Sequence, residues 1–346
     1  MNNLNFFLGA NSDKGFVSYF NELQDFGDFL QLFILKGGPG SGKSSLMKKI
    51  YKHAQGLGHN VEAINCASDP NSLDAFIDHT QGIAMADGTA PHSFDPYLPG
   101  AKEHIIYTGE YWNATTLLKN KEEIQKLNEE ITDCHKSATA YIKAAASLIK
   151  ENMEIATKHI NKKELTEFGE MLASHFAKGS SAREKKRLLS AVTCGRVEFF
   201  ENTLSSLADK IYVLNDPWGA SSDMLLSFLR TKALSNNLKI ISCPCSVIPE
   251  RLEHIIIPSE KIAVSVKNPF HCTHNAFAEA GGFYYPFDES ELKERQKISQ
   301  NLIYKATECV NKAKSLHDDL ERYYIEAMDF SKLENMAENL KKQLYQ

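Results

Sequence analysis

Gly37-Gly38-Pro39-Gly40-Ser41-Gly42-Lys43-Ser44 is the stretch that decides the fold. It fits the pattern G-x-x-x-x-G-K-[ST], and its flanks are the ones that pattern requires. The apolar run from Phe29 to Leu35 reads as a buried parallel strand. Ser44 to Tyr51 carries apolar residues at helical spacing. Strand, glycine loop and helix in that order surround a phosphate with backbone N–H groups and a helix N-terminus. The expected nucleotide-binding residues are Gly38, Pro39, Gly40, Ser41, Gly42, Lys43, Ser44 and Ser45. Lys43 would reach the β- and γ-phosphates, and the Ser44 hydroxyl would ligate Mg²⁺. A Gly/Ser turn with an exposed lysine is the plainer alternative, and the complete motif in its full context weighs against it.

Sliding the chain on itself extends the picture. Tyr212 to Ser222 lies over Ile34 to Ser44 with an offset of 178 residues. At an offset of 179, Pro249 to Ile256 lies over Pro70 to Ile77, Ile262-Ala263 over Ile83-Ala84, and His271 over His92. The expected organisation is an α/β chain of two tandem parallel-sheet units, 1–180 and 190–346. Each ends in a helical hairpin, at about 113–178 and 288–346. In the first hairpin a long amphipathic helix runs from Asn113 to Asn161, and a shorter one, capped at Asn161, reaches about His175. In the second, Ser331 is expected to cap the final short helix. The two hairpins are expected to pack on each other, with a coiled-coil arm reaching for a partner as the alternative. Residues 178–182 read as a flexible join, and Arg183 to Arg187 as a solvated linker face.

The second copy has lost its chemistry. At the loop offset, Asn215 stands on Gly37, Trp218 on Gly40, Ala220 on Gly42 and Ser221 on Lys43. One nucleotide site is therefore expected, in the first half. Asp87 ends the apolar strand 82–87 and is the candidate Mg²⁺ carboxylate; its counterpart, Val266, is apolar. Asp69 follows the strand 61–65 and is the candidate general base, against a reading as turn chemistry. Asp74 has the acidic counterpart Glu253, which favours a structural role, a helix N-terminal acid among the alternatives. His92 is matched by His271, so a structural hydrogen bond competes evenly with catalysis. Lys14-Gly15-Phe16 could cover the base or ribose.

All seven arginines lie after residue 182, so the nucleotide-binding half has none to grip moving phosphates. Arg183, Arg187 and Arg196 are the candidate fingers. Cys243, Cys245, His271, Cys272 and His274 can be drawn as a zinc site, against the commoner reading of free buried cysteine.

The 346 residues carry a net charge of −5, which argues against a broad nucleic-acid-binding face. No apolar stretch has the length of a membrane span, and Met1 to Phe7 lacks the features of a signal peptide. Seven cysteines without a C-x-x-C pair suit a reducing cytoplasm.

Lys14-Gly15-Phe16, Lys36 to Ile50, Cys66 to Asp74 and Asp87 to His92 resemble a bacterial family of tandem P-loop ATPase-like, NTP-binding proteins. The resemblance covers nearly the whole chain and implies nucleotide binding. It also implies a recognisable loop in both halves, from which the second half departs. The resulting expectation is an Mg·ATP-binding protein and slow ATPase with one live site. A small-molecule or nucleotide kinase, weakened by the missing arginines, is one alternative; a nucleotide-gated scaffold without turnover is another. ATP is preferred to GTP because no [NT]-K-x-D motif follows the loop. Lack of a glutamate directly after Asp87 argues against fast hydrolysis.

Overall fold

The computed structural model describes residues 4–24 and 30–345. Met1, Asn2 and Asn3 of the N-terminal stretch, and Phe29 at the head of the expected strand, lie outside the described residues.

The first half of the chain forms β1 (Leu4–Phe6), a hairpin of β2 (Gly9–Ser12) and β3 (Gly15–Ser18), β4 (Gln31–Lys36), α1 (Lys43–Gly56), β5 (Val61–Asn65), β6 (Leu73–Asp78), β7 (Ile83–Asp87) and β8 (Glu103–Tyr107). Helices α2 (Ala114–Lys119), α3 (Lys121–Thr157) and α4 (Lys162–Ala173) follow. The second half forms β9 (Arg183–Lys186), a hairpin of β10 (Ser190–Val192) and β11 (Val197–Phe199), α5 (Glu201–Leu207), β12 (Lys210–Asn215), α6 (Ala220–Ser235), β13 (Lys239–Pro244), β14 (Leu252–Ile257), β15 (Ile262–Lys267) and β16 (Ala278–Gly281). It closes with α7 (Ser290–Ala327) and α8 (Phe330–Tyr345). No helix among the described residues is long and apolar enough to cross a membrane.

Each half builds a six-stranded sheet, ordered β1-β5-β6-β7-β4-β8 and β9-β13-β14-β15-β12-β16. The two orders correspond strand for strand, and so do the registers. Gln31 faces Ile83 in the parallel pair β4–β7, and 179 residues later Lys210 faces Ile262 in β12–β15. The same shift carries the register break at Ile64/Asn65 onto the one at Cys243/Pro244. Coincident bulges are a strong sign of one shared architecture, because a bulge is a specific device for re-aiming a strand.

The sheets are mixed, where purely parallel ones were expected. β6 runs antiparallel to both β5 and β7, and β14 to both β13 and β15. Connection length is the reason: residues 66–72 and 79–82 are too few for a crossover, so the chain must reverse. Asp74 consequently sits in strand β6 and does not open a helix.

Several helical expectations also shift. The long helix breaks at Asn120, and Asn113 caps α2 by accepting from the N–H groups of Thr115 and Thr116. Asn161 caps α4 through the Glu164 N–H. At the head of α8 the capping side chain is Asp329, which accepts from Ser331 Oγ and the Lys332 N–H. Ser331 therefore lies inside the helix. Arg183 to Lys186 is strand β9, parallel to β13, and Arg187 is buried, so this run is no solvated linker.

The chain divides into two compact units that cut across the halves. One comprises residues 1–5, 20–137 and 308–346, the other residues 6–19 and 138–307. In the first, Ala337, Leu340 and Leu344 of α8 join Leu46, Met47 and Ile50 of α1 in one core. In the second, Leu165 and Leu172 of α4 join Leu225, Leu226 and Leu229 of α6. Each short helix thus covers the sheet-backing helix of the opposite half. Burying a leucine contributes about 1.5–3 kcal/mol, so the two buried leucines on each of these short helices hold it firmly.

Candidate functional site

The loop 37–42 joins β4 to α1 in the first unit, with Gly42 as the helix N-cap. Gly40 and Gly42 adopt φ of 63° and 79°, in the left-handed region that side chains disfavour. Ser41 is buried; its Oγ donates to the Gly38 carbonyl and accepts from Thr108 Oγ1. Thr108 follows β8, the other parallel neighbour of β4, so the sheet pins the loop from that side.

Lys43 is 9% exposed and turns back over the loop. Its Nζ donates to the carbonyls of Gly37 at 2.6 Å and Gly38 at 2.8 Å, and lies 3.6 Å from Asp87 Oδ2. Asp87 reaches that position because β7 pairs in parallel with β4 and ends beside the loop. Its Oδ1 accepts from the N–H and hydroxyl of Thr89. The Ser44 Oγ accepts from Ser72 Oγ at 2.8 Å and from the Leu73 N–H at 3.0 Å. Lys43 and Asp87 are therefore brought together, and Ser44 sits against the residues that open β6.

Other expected residues have different partners. Asp69 lies on the same 66–72 connection as Ser72, but its carboxylate accepts from the Asn71 N–H and lies 3.8 Å from Lys314. That is the turn role. Lys14 pairs with Glu250, and residues 14–16 belong to the second unit. So do Arg183, Arg187 and Arg196, the last paired with Glu198 at 2.6 Å. The first unit's only arginine is Arg322 of α7.

His92 and Asp74 form an ion pair at 3.2 Å, and His271 and Glu253 form the same pair at 3.2 Å. Burial opposes the charge on His92, but the Asp74 carboxylate, with Asp87 beyond it, holds its pKa above the ordinary value. The pair is present in both halves, at the corresponding positions His92 and His271.

Residues without a motif signature complete the surroundings. Lys36 Nζ ties down the loop after β7 through the Gly88 and Phe94 carbonyls. Trp112 packs on Tyr324, and a Cβ at Gly38 would come 3.2 Å from the Trp112 ring. A Cβ at Gly40 would come 2.8 Å from the Glu321 carbonyl, and one at Gly42 2.4 Å from Leu333 Cδ2. The Gly40 N–H itself donates to Glu321 Oε1 at 3.2 Å. The tip of α7 and the start of α8 thus lie on the loop, with a carboxylate on a backbone N–H that an anion would use. Sequence spacing carries no signal for this contact, which joins residues 281 apart.

The corresponding loop of the second unit spans only residues 216–219 between β12 and α6, two residues fewer. Gly219 is its helix N-cap at φ 78° because α6 begins two residues earlier. At the 179-residue shift Gly219 answers to Gly40, Ser222 to Lys43 and Asp223 to Ser44. Asp223 Oδ1 accepts from the Leu252 N–H as Ser44 Oγ does from the Leu73 N–H. This correspondence shifts by one residue the overlay at the loop, where Ala220 was set on Gly42 and Ser221 on Lys43; lysine is missing either way. Asp216 fills the seat. Its carboxylate accepts from the N–H groups of Trp218, Gly219 and Ser222 and from the hydroxyls of Ser221 and Tyr284. A carboxylate at a helix N-terminus is favourable for the same reason a phosphate is.

The zinc set drawn from sequence is not assembled among the described residues. Cys243 and Cys245 are buried thiols whose pKa burial pushes up, to about 11 for Cys245. His274 pairs with Glu201, and His271 with Glu253.

Comparison of the chain with protein-family models, curated proteins and solved structures finds no match in any of the three.

Proposed function

We propose that the chain is an Mg·ATP-binding P-loop protein and slow ATPase, built as an internal duplication of a P-loop NTPase-like unit with one live site. The observation that carries this reading is the 3.6 Å approach of Lys43 Nζ to Asp87 Oδ2 across adjacent parallel strands, at the head of α1. A cation aimed into a ring of backbone groups and a carboxylate beside it are what a triphosphate and its metal require. Ser44 and Asp87 supply the hard oxygen donors that suit Mg²⁺, and they would hold it. Bound there, the ion would neutralise charge developing on the phosphates. Lys43 exchanges two loop carbonyls for phosphate oxygens, and the N–H groups of residues 40–44 orient the phosphate chain. Asp69 is proposed as the base only if it leaves Lys314, and a slow reaction follows from that engagement.

A second reading draws on the Glu321–Gly40 contact: the loop responds to nucleotide by releasing α7, with little turnover. Phosphate release from Mg·ATP, measured with and without small-molecule acceptors, separates the readings. Acceptor-independent release abolished in Asp87→Ala supports the ATPase. Release that needs an acceptor supports a kinase. ATP-dependent exposure of α7 without release supports the scaffold, and none of the three overturns all.

A further inference from the structure

The second unit contains a buried cluster that the nucleotide reading leaves unused. The donor atoms of Glu253, His254 and His271 all lie within 4.8 Å of one another. Glu253 Oε2 stands between the two rings, 3.2 Å from His271 Nε2 and 4.0 Å from His254 Nε2. The His254 side chain is 1% exposed and its Nε2 has no hydrogen-bond partner. A buried imidazole nitrogen left unpaired is costly unless something unseen satisfies it.

The first half serves as a control. It keeps the Asp74–His92 pair, so the acid and one histidine belong to the common architecture. Position 254 answers to Ala75, 265 to Ala86 and 273 to Phe94, all buried and apolar. In the second half these become His254, Ser265 and Thr273, joined in a chain. His254 Nδ1 meets Ser265 Oγ at 2.9 Å, and Ser265 Oγ meets Thr273 Oγ1 at 2.7 Å. Three buried apolar positions have turned polar together, and the chain holds His254 with Nε2 facing Glu253.

Hydrogen bonding at His271 points the same way. Its Nε2 faces Glu253 Oε2 and also the Asn268 side-chain nitrogen, each at 3.2 Å. Asn268 is fixed, because its Oδ1 accepts from the N–H groups of Phe270 and His271. A proton on Nε2 suits the carboxylate and confronts the amide NH₂; a lone pair does the reverse. A cation at Nε2 joins the lone pair to the carboxylate, and the Asn268 NH₂ keeps Glu253 Oε1 as its acceptor at 2.8 Å.

We propose that Glu253, His254 and His271 bind one zinc ion. Two imidazoles and a carboxylate are a donor set zinc accepts, with bonds of about 2.0–2.2 Å and an exchangeable fourth position. Glu253 Oε1 is held by Arg251 at 2.7 Å and Asn268 at 2.8 Å, and Oε2, which accepts from Ser190 Oγ at 3.3 Å, keeps a lone pair for the metal. The Arg251 charge is met by Asp216 as well as Glu253. Glu253 and His271 also line a cavity of about 40 Å³ with Asn152 and Ser299. The fourth zinc position opens towards that cavity, which has room for water or a small anion.

Metal content and the visible spectrum of the full chain, produced with zinc or cobalt in the medium, test the assignment. One metal per chain is expected, retained in Lys43→Ala and lost in His254→Ala, which restores the residue type found at position 75. X-ray absorption of the zinc form should show two imidazoles; this holds even where His254→Ala fails to fold. Metal-free wild type overturns the proposal. So does zinc without imidazole scattering, or zinc lost in Lys43→Ala.

Discussion

Glu321 Oε1 accepts a hydrogen bond from the Gly40 N–H, so a carboxylate of α7 occupies part of the proposed phosphate seat. Nucleotide must displace it, which lowers the apparent affinity by the fraction of chains that have released it. Glu321→Ala is therefore expected to bind Mg·ATP more tightly, by about tenfold, the equivalent of one charge-assisted hydrogen bond of ~1.4 kcal/mol. Calorimetric titration checks this; unchanged or weaker binding contradicts the competition.

Gly42 and Gly219 cap their helices with left-handed φ of 79° and 78°. Alanine at either is expected to destabilise by about 1–2 kcal/mol through backbone strain. Urea unfolding measures that loss. Only Gly42→Ala should also weaken ATP binding, because only its loop carries lysine. An equal effect of both on ATP would contradict a single live site.

Asp216 is 1% exposed and satisfies three backbone N–H groups and two hydroxyls. Asp216→Ala orphans those donors and is expected to cost about 3 kcal/mol or more. It should create no second ATP site, since Ser222 and Asp223, at the positions of Lys43 and Ser44, offer no cation. A variant as stable as wild type would show that water replaces the carboxylate at no cost.

Two histidines should tilt stability with pH in opposite directions. His92, raised despite burial by Asp74 and Asp87, stabilises fully below its unfolded pKa, and that contribution is lost as pH rises through the folded value. His135, whose pKa burial and nearby His317 push below the ordinary value, favours its neutral form in the folded chain. Its penalty appears as pH falls through its unfolded value of about 6.5. Denaturant midpoints against pH should flatten on the alkaline side in His92→Gln and on the acid side in His135→Gln. Parallel profiles for wild type and variants would contradict both assignments.

The strand–loop–helix order around Lys43 and the strand ending in Asp87 were legible because a glycine pattern and an apolar run are local features. The 179-residue correspondence was legible for the same reason, in Pro70/Pro249, Leu73/Leu252 and His92/His271. Antiparallel β6 was not, since an apolar run has no direction; its short flanking connections held the clue. The loop overlay was one residue out, and the 179-residue shift of the strands, which sets Gly219 on Gly40 with left-handed φ at both, marks the correct alignment. Glu321 on Gly40 and α8 on α1 depend on which helix reaches which sheet, and amphipathic spacing does not encode that choice. His254 escaped notice because its partners, Ser265 and Thr273, lie on other segments.

The central claim is that Lys43 holds phosphate at the head of α1. The most direct test is the affinity of wild type and Lys43→Ala for Mg·ATP, by calorimetry at one salt concentration, with unfolding curves to establish that both are folded. A loss of at least about tenfold, ~1.4 kcal/mol, is predicted for a buried cation that meets phosphate. Equal affinity in two equally folded proteins would contradict the account.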